Sequence, residues 1–184
     1  MLSDLMPQNE KQSTATGEPT TVVQRPNIYE QQPDKVNVAF SKKDLNKLRE
    51  ILEYENDSLD HIDINYVVEC LTPLQRIRLV NELHRVLRKG GSVTIYSAYW
   101  AASKAFGDLD AQWPPISESW YTFLDKEMRE KFHPEETKYK CNFVLTMGYG
   151  MHQSIASKHQ EAQQHALIFY KEAAQDLIAT LTKL

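Results

Sequence analysis

Leu83-His84-Arg85-Val86-Leu87-Arg88-Lys89-Gly90-Gly91-Ser92-Val93-Thr94-Ile95-Tyr96-Ser97 reads as the end of a helix, a glycine turn and the start of a strand. Leu83, His84 and Leu87 continue an apolar helix face that begins at Leu74, Ile77 and Val80. Arg85, Arg88 and Lys89 lie near the helix C-terminus, where cations suit the dipole. Gly90 is placed to end the helix just after Lys89, because glycine adopts the left-handed conformation at little cost. Ser92 to Ala98 reads as the strand that follows.

Upstream, Thr72-Pro73 offers an N-cap followed by proline at the first helical position. Leu59 to Val68 is β-branched and apolar enough for a buried strand, and Asn56-Asp57-Ser58 before it is turn chemistry. Leu45, Leu48, Ile51 and Leu52 recur at helical spacing between Asp44 and Tyr54. Val36 to Phe40 alternates and reads as a strand. The order strand, helix, strand, helix, strand implies a parallel sheet with right-handed crossovers.

Downstream, residues 99–135 are rich in aromatics and proline without a clean period, and read as an insertion over the sheet edge with a short helix near 117–131. Cys141 to Gly148 reads as a late strand. From Ser154 to Leu181, Ile155, Ala162, Ala166, Phe169, Tyr170, Ala173, Leu177 and Leu181 recur mostly every three to four residues, which predicts one long amphipathic helix.

The 184 residues suit one domain, here expected over 35–184, behind a flexible tail at 1–34 that carries Pro7, Pro19, Pro26 and Pro33 and few large apolar residues. A net charge of −4, with basic residues dispersed along helices, argues against nucleic acid as the main partner. Cys70 and Cys141 form no CxxC and suit a reducing compartment. No run of about 18 apolar residues predicts a membrane span, and the first residues do not read as a signal peptide, so a cytoplasmic protein is expected. The six histidines show no metal-ligand spacing with the cysteines.

The helix–Gly-Gly–strand junction resembles the E-x-x-R-V-L-K-P-G-G-x-[LV]-x-[IV] junction of class I S-adenosylmethionine-dependent methyltransferases. Asn56-Asp57-Ser58-Leu59-Asp60-His61-Ile62 through Tyr66-Val67-Val68-Glu69-Cys70-Leu71 resembles that family's D-N-S-[FV]-D-E-I-x-x-x-H-V-L-E-H-L, with Tyr66 and Cys70 in place of histidines. Ala105-Phe106-Gly107-Asp108-Leu109-Asp110-Ala111-Gln112-Trp113-Pro114-Pro115 resembles A-[FY]-G-D-x-x-H-x-W-P-P in a subset of phage and bacterial methyltransferase-like proteins, with Ala111 where the histidine stands. The resemblance implies a partial Rossmann-like α/β sandwich, with a truncated, mostly parallel sheet and a long C-terminal helix.

It also implies S-adenosylmethionine as cofactor and a site at the carboxyl ends of the strands, in loops 41–45, 66–72 and 97–115. Glu69, Asp108 and Asp110 are the acidic candidates for catalysis, Asp44 and Tyr66 for cofactor contact, and Tyr99, Trp113 and Trp120 for a flat-substrate pocket. Each has a structural alternative: a helix-start acid for Glu69, a turn for Asp108, core packing for the aromatics. The family follows its first strand with a G-x-G-x-G-like turn, and none of the six glycines here makes that pattern after a strand. Weak or absent cofactor binding is therefore expected. Three readings stay open: an active methyltransferase, a non-catalytic relative that binds a protein partner, or one half of a split enzyme. A homodimer or a second chain is the expected partner.

Overall fold

The fold is set by three parallel strands and the segments that cross between them. In the computed structural model, which describes residues 36–184, they are β1 (Asn37–Ser41), a 3-10 segment (Lys42–Glu53), β2 (Leu59–Asn65), α1 (Pro73–Val86) and β3 (Leu87–Ala98). The 1–34 tail and the side chain of Asp44 lie outside the described residues. The insertion then forms α2 (Lys104–Gly107), α3 (Glu118–Thr122) and α4 (Lys126–Phe132), and the chain ends through β4 (Phe143–Met151), α5 (Gln153–Ala156), α6 (Gln160–Phe169) and β5 (Ala174–Lys183). The sheet order is β1-β2-β3-β5-β4, with β5 antiparallel to both neighbours. This is the α/β, Rossmann-like class that the sequence predicts, with a mixed sheet.

The long C-terminal helix is not there. α6 stops at Phe169, Glu172 turns the chain with φ 63°, and residues 174–183 form a central strand. Leu177 and Leu181 are four apart and fit a helical stripe, but with Ala179 they also fit a period of two. All three are fully buried. Pairing on both sides of β5 decides the matter, because a buried backbone must have its hydrogen bonds met. The helix near 117–131 is two short helices, broken at Phe123–Asp125, where the Asp125 carboxylate accepts from the Met128 N–H and starts the second.

α1 begins as the sequence predicts. Pro73 follows the N-cap, the Gln75 N–H donates to the Thr72 hydroxyl at 3.4 Å, and the Thr72 N–H donates to the Gln75 amide oxygen at 2.9 Å, closing a capping box. It ends at Val86, three residues before the expected position. Asp57 and Ser58 donate their N–H groups to the carbonyls of Arg85 and Val86, and Leu87 is already extended and paired with Leu59. Gly90 does have positive φ, at 78°, but it serves a register shift at the start of β3 and not a helix cap. Gly91 is there for space: a Cβ would stand 2.9 Å from the Arg88 carbonyl oxygen and 3.1 and 3.2 Å from those of Asp60 and Leu59.

One face of the sheet carries the core. Phe40, Ile64, Ile95 and Ala179 lie in register across four strands, and Val80, Leu83 and Val86 of α1 and Ile116, Tyr121 and Leu124 of the insertion close over that face. Each large apolar side chain buried there contributes about 1.5–3 kcal/mol. The other face carries His61, Asp63, Asn65, Ser92, Thr94, Tyr96, Thr180 and Thr182, none of them buried. These side chains are half-buried and mostly polar, with Ile178 paired with Tyr96 among them.

Candidate functional site at the carboxyl ends of the parallel strands

β1, β2 and β3 all point their carboxyl ends at one edge of the molecule, and three loops meet there. Arg76, fully buried in the first turns of α1, ties two of them together. Its guanidinium donates to the carbonyls of Val68 (2.8 Å) and Glu69 (3.5 Å) in the loop after β2, and to those of Gln112 (2.9 Å) and Pro114 (2.6 Å) in the insertion. Four carbonyl acceptors offset the cost of burying this cation. The Gln112 N–H also donates to the Glu69 carbonyl at 2.7 Å. Arg76 lies four and seven residues before Val80 and Leu83, so a charge on an apolar stripe was the signal that sequence reasoning missed.

Glu69 lies beneath this clamp, only 7% exposed. The Ala98 N–H donates to its Oε1 at 3.2 Å, while its Oε2 is buried with no hydrogen-bond partner among the described residues. Burial pushes its carboxyl above the usual carboxylate range, against the pull of two backbone N–H groups and Arg76. A carboxyl so placed can hold or release a proton nearer neutrality than a solvated one.

Asp108 and Asp110 meet a lysine. The Lys42 ammonium, just past β1, bonds Asp108 and lies 3.1 Å from Asp110. That hydrogen bond holds the Asp108 carboxyl below its ordinary value, and the Lys42 ammonium is correspondingly raised. Cys70 lies within the field of this group, with its thiol raised first by burial and then by the Glu69 charge.

Tyr66 belongs to a second cluster. It has φ 55°, a conformation that strains a residue with a Cβ. Its hydroxyl donates to Asp176 Oδ1 at 2.9 Å, Lys104 bonds the same oxygen, and the Lys104 ammonium stands 5.2 Å from the centre of the Tyr66 ring. Burial, then Asp176, pushes the phenol up to about 12. Asp176 was hidden from sequence reasoning because its segment was read as helix.

The three aromatic candidates are spread out. Tyr99 is buried and donates to Glu118 at 2.9 Å, as Tyr149 does at 2.8 Å. Burial, then Glu118, raises the Tyr99 phenol to about 12. The Trp120 indole N–H donates to the Tyr139 hydroxyl at 3.2 Å, and the ring packs at the core margin. Trp113 is 77% exposed, with its backbone held on both sides by Arg76. Asp44 has its backbone in the 3-10 segment that starts at Lys42.

The parallel strands run β1-β2-β3 in sheet order, each step in the same direction. In doubly wound sheets the ligand crevice opens where strand order reverses. Among the described residues there is no such reversal. Nor, among them, is there a group of three or more His, Cys, Asp or Glu placed to hold a metal, or a helix long and apolar enough to cross a membrane.

No family model matches the sequence, and no curated protein matches it. Solved structures do. A SAM dependent methyltransferase from Archaeoglobus fulgidus aligns with TM-score 0.52 and 14% identity, over 74% of this chain and 64% of that one. An S-adenosylmethionine dependent methyltransferase from Mesorhizobium loti aligns with TM-score 0.39 and 11% identity, over 71% and 64%. The complex of the Haloferax volcanii Trm112 methyltransferase activator with a methyltransferase gives TM-score 0.42 and 12% identity, over 71% and 56%. The likeness to the first defines the fold, that of the class I methyltransferases. This chain spans less than two thirds of the length of each.

Proposed function

We propose that this chain is a protein of S-adenosylmethionine-dependent methyltransferase lineage whose cofactor site is incomplete, and that it works as a non-catalytic binding protein. One observation carries this reading: among the described residues the parallel strands do not reverse order, and the loop after β1, Ser41-Lys42-Lys43, has no glycine and sends its lysine into Asp108 and Asp110. S-adenosylmethionine brings a charged amino-acid end and a ribose diol, which call for a close backbone cradle and a free carboxylate. The residues present do not fit it. The carboxylates of Asp108 and Asp110 are engaged by Lys42, and Glu69 lies closed under the Arg76–Gln112 clamp.

The polar face of the sheet weighs against a split enzyme. A partner chain supplying a missing helix layer would need an apolar seat. Ser92, Thr94, Thr180 and Thr182 make a polar seat there, with Tyr96 and Ile178 as its large apolar pair.

Thermal unfolding with S-adenosylmethionine or S-adenosylhomocysteine at about 1 mM tests the reading. A millimolar site adds about 0.4 kcal/mol, which moves the midpoint very little, whereas a micromolar site adds about 4 kcal/mol. A rise of many degrees would reinstate an active cofactor site.

A further inference from the structure

We propose that the outer edge of β4 is a homodimerisation surface, on which β4 of a second copy pairs antiparallel about a two-fold axis at Met147. The inference is independent of the cofactor reading. β4 is an edge strand of nine residues, Phe143-Val144-Leu145-Thr146-Met147-Gly148-Tyr149-Gly150-Met151, without a charge or a proline. Apart from its last residue, where the register shifts, it is regular. Soluble proteins protect such edges with lysine, proline, bulges or a covering segment. Here, from Val144 to Met151, no backbone group bonds outside the ladder with β5 among the described residues. Val144, Thr146 and Met147 are exposed.

The strand's own sequence selects a second copy as its occupant. With Met147 on the two-fold axis, Val144 faces Gly150, Leu145 faces Tyr149, and Thr146 faces Gly148 of the other copy. Larger residues meet glycine on the polar face of the sheet. Apolar residues meet on the core face. A strand paired with itself sets like against like near the axis, and absence of charge removes the repulsion that this would bring. The closed product is isologous and leaves no further β4 edge.

Gly148 is a second observation. Glycine inside a strand weakens it, and it often marks a place where another backbone comes close. Gly148 has no positive φ, and beyond its two chain neighbours no atom among the described residues lies within 4 Å of where its Cβ would stand. By contrast, Gly150 makes room for the Asp176 carboxylate, 2.9 Å from the same point. Nothing among the described residues asks for glycine at 148. A side chain at 146 of a second copy does, since it can then lie against bare backbone.

Sedimentation of the full chain tests this with charge-swapped variants. The wild type is expected to be a dimer at tens of micromolar. Thr146→Glu and Thr146→Lys should each be monomeric and still unfold in one cooperative transition, and an equimolar mixture of the two should restore the dimer. A monomeric wild type overturns the proposal, and so do variants that remain dimeric. Should either variant fold poorly, Met147→Cys replaces it. Opposed Cα atoms about 4.5–5.5 Å apart bring two thiols within disulfide reach. Oxidation should then link the copies through position 147, and a chain that stays unlinked contradicts the pairing.

Discussion

The Lys42 ammonium, just past β1, bonds the Asp108 carboxylate, 66 residues away in the insertion that follows β3. Because β2 lies between those strands, the pair spans its carboxyl end, where the fold would seat a ligand. Half-exposed ion pairs of this kind add little to stability. Lys42→Met is therefore expected to move the melting temperature by no more than about 2 °C, while hydrogen exchange over residues 105–112 quickens several-fold. Unchanged exchange would mean that the insertion is held by Arg76 alone.

The same pair has a defined pH window. The Asp108 carboxyl is depressed, so its contribution is present above the ordinary aspartate value and is lost as pH falls through the lowered one. The Lys42 ammonium is raised, so its share is full below the ordinary lysine value and is lost only as pH rises through the higher one. Exchange protection over 105–112 should stay flat from about pH 5 to 9 and fall away only in stronger acid or base. A loss of protection near neutrality would show that another group holds the loop.

Glu69 should behave in the opposite sense. Its folded-state value is raised, so its contribution is greatest below the ordinary glutamate value and is lost as pH rises through the higher one. Wild-type melting should fall over that range, and Glu69→Gln should show a shallower slope. Equal slopes for the two would mean that the carboxyl ionises without cost in its buried place.

Gly91→Ala should destabilise by about 1–3 kcal/mol, since its Cβ meets three carbonyl oxygens that belong to paired backbone. Gly90→Ala meets open space and carries only the left-handed strain, about 1–2 kcal/mol. Denaturant midpoints for the two compare them directly. A harmless Gly91→Ala would rule out the close packing of β2 against the start of β3.

The C-terminal region separates strand from helix by mutation. Phe169→Glu should leave folding intact, because Phe169 is 66% exposed, whereas Leu177→Ala should cost about 2–5 kcal/mol, because Leu177 is fully buried. Equal effects would revive a single amphipathic helix through both.

Much of the parallel half was legible. Thr72-Pro73 announced α1, the alternation at Val36 to Phe40 announced β1, and the β-branched run from Leu59 announced β2. What failed was local pattern overruled by pairing. Leu177 and Leu181 satisfy two periods, and Leu87 completes a helix stripe while pairing with Leu59. At the site, the converging loops could be anticipated from the strand–helix alternation. Lys42 and Asp176 could not, since each owes its role to a residue more than 60 positions away.

The chain has the class I methyltransferase fold, and we propose that it lacks a working cofactor site. Calorimetric titration of the purified full chain with S-adenosylmethionine tests it most directly. Each charge-assisted backbone contact to the cofactor that such a site lacks would have added about 1.5–3 kcal/mol. No saturable heat is expected below millimolar ligand. A one-to-one isotherm with a micromolar Kd would contradict it.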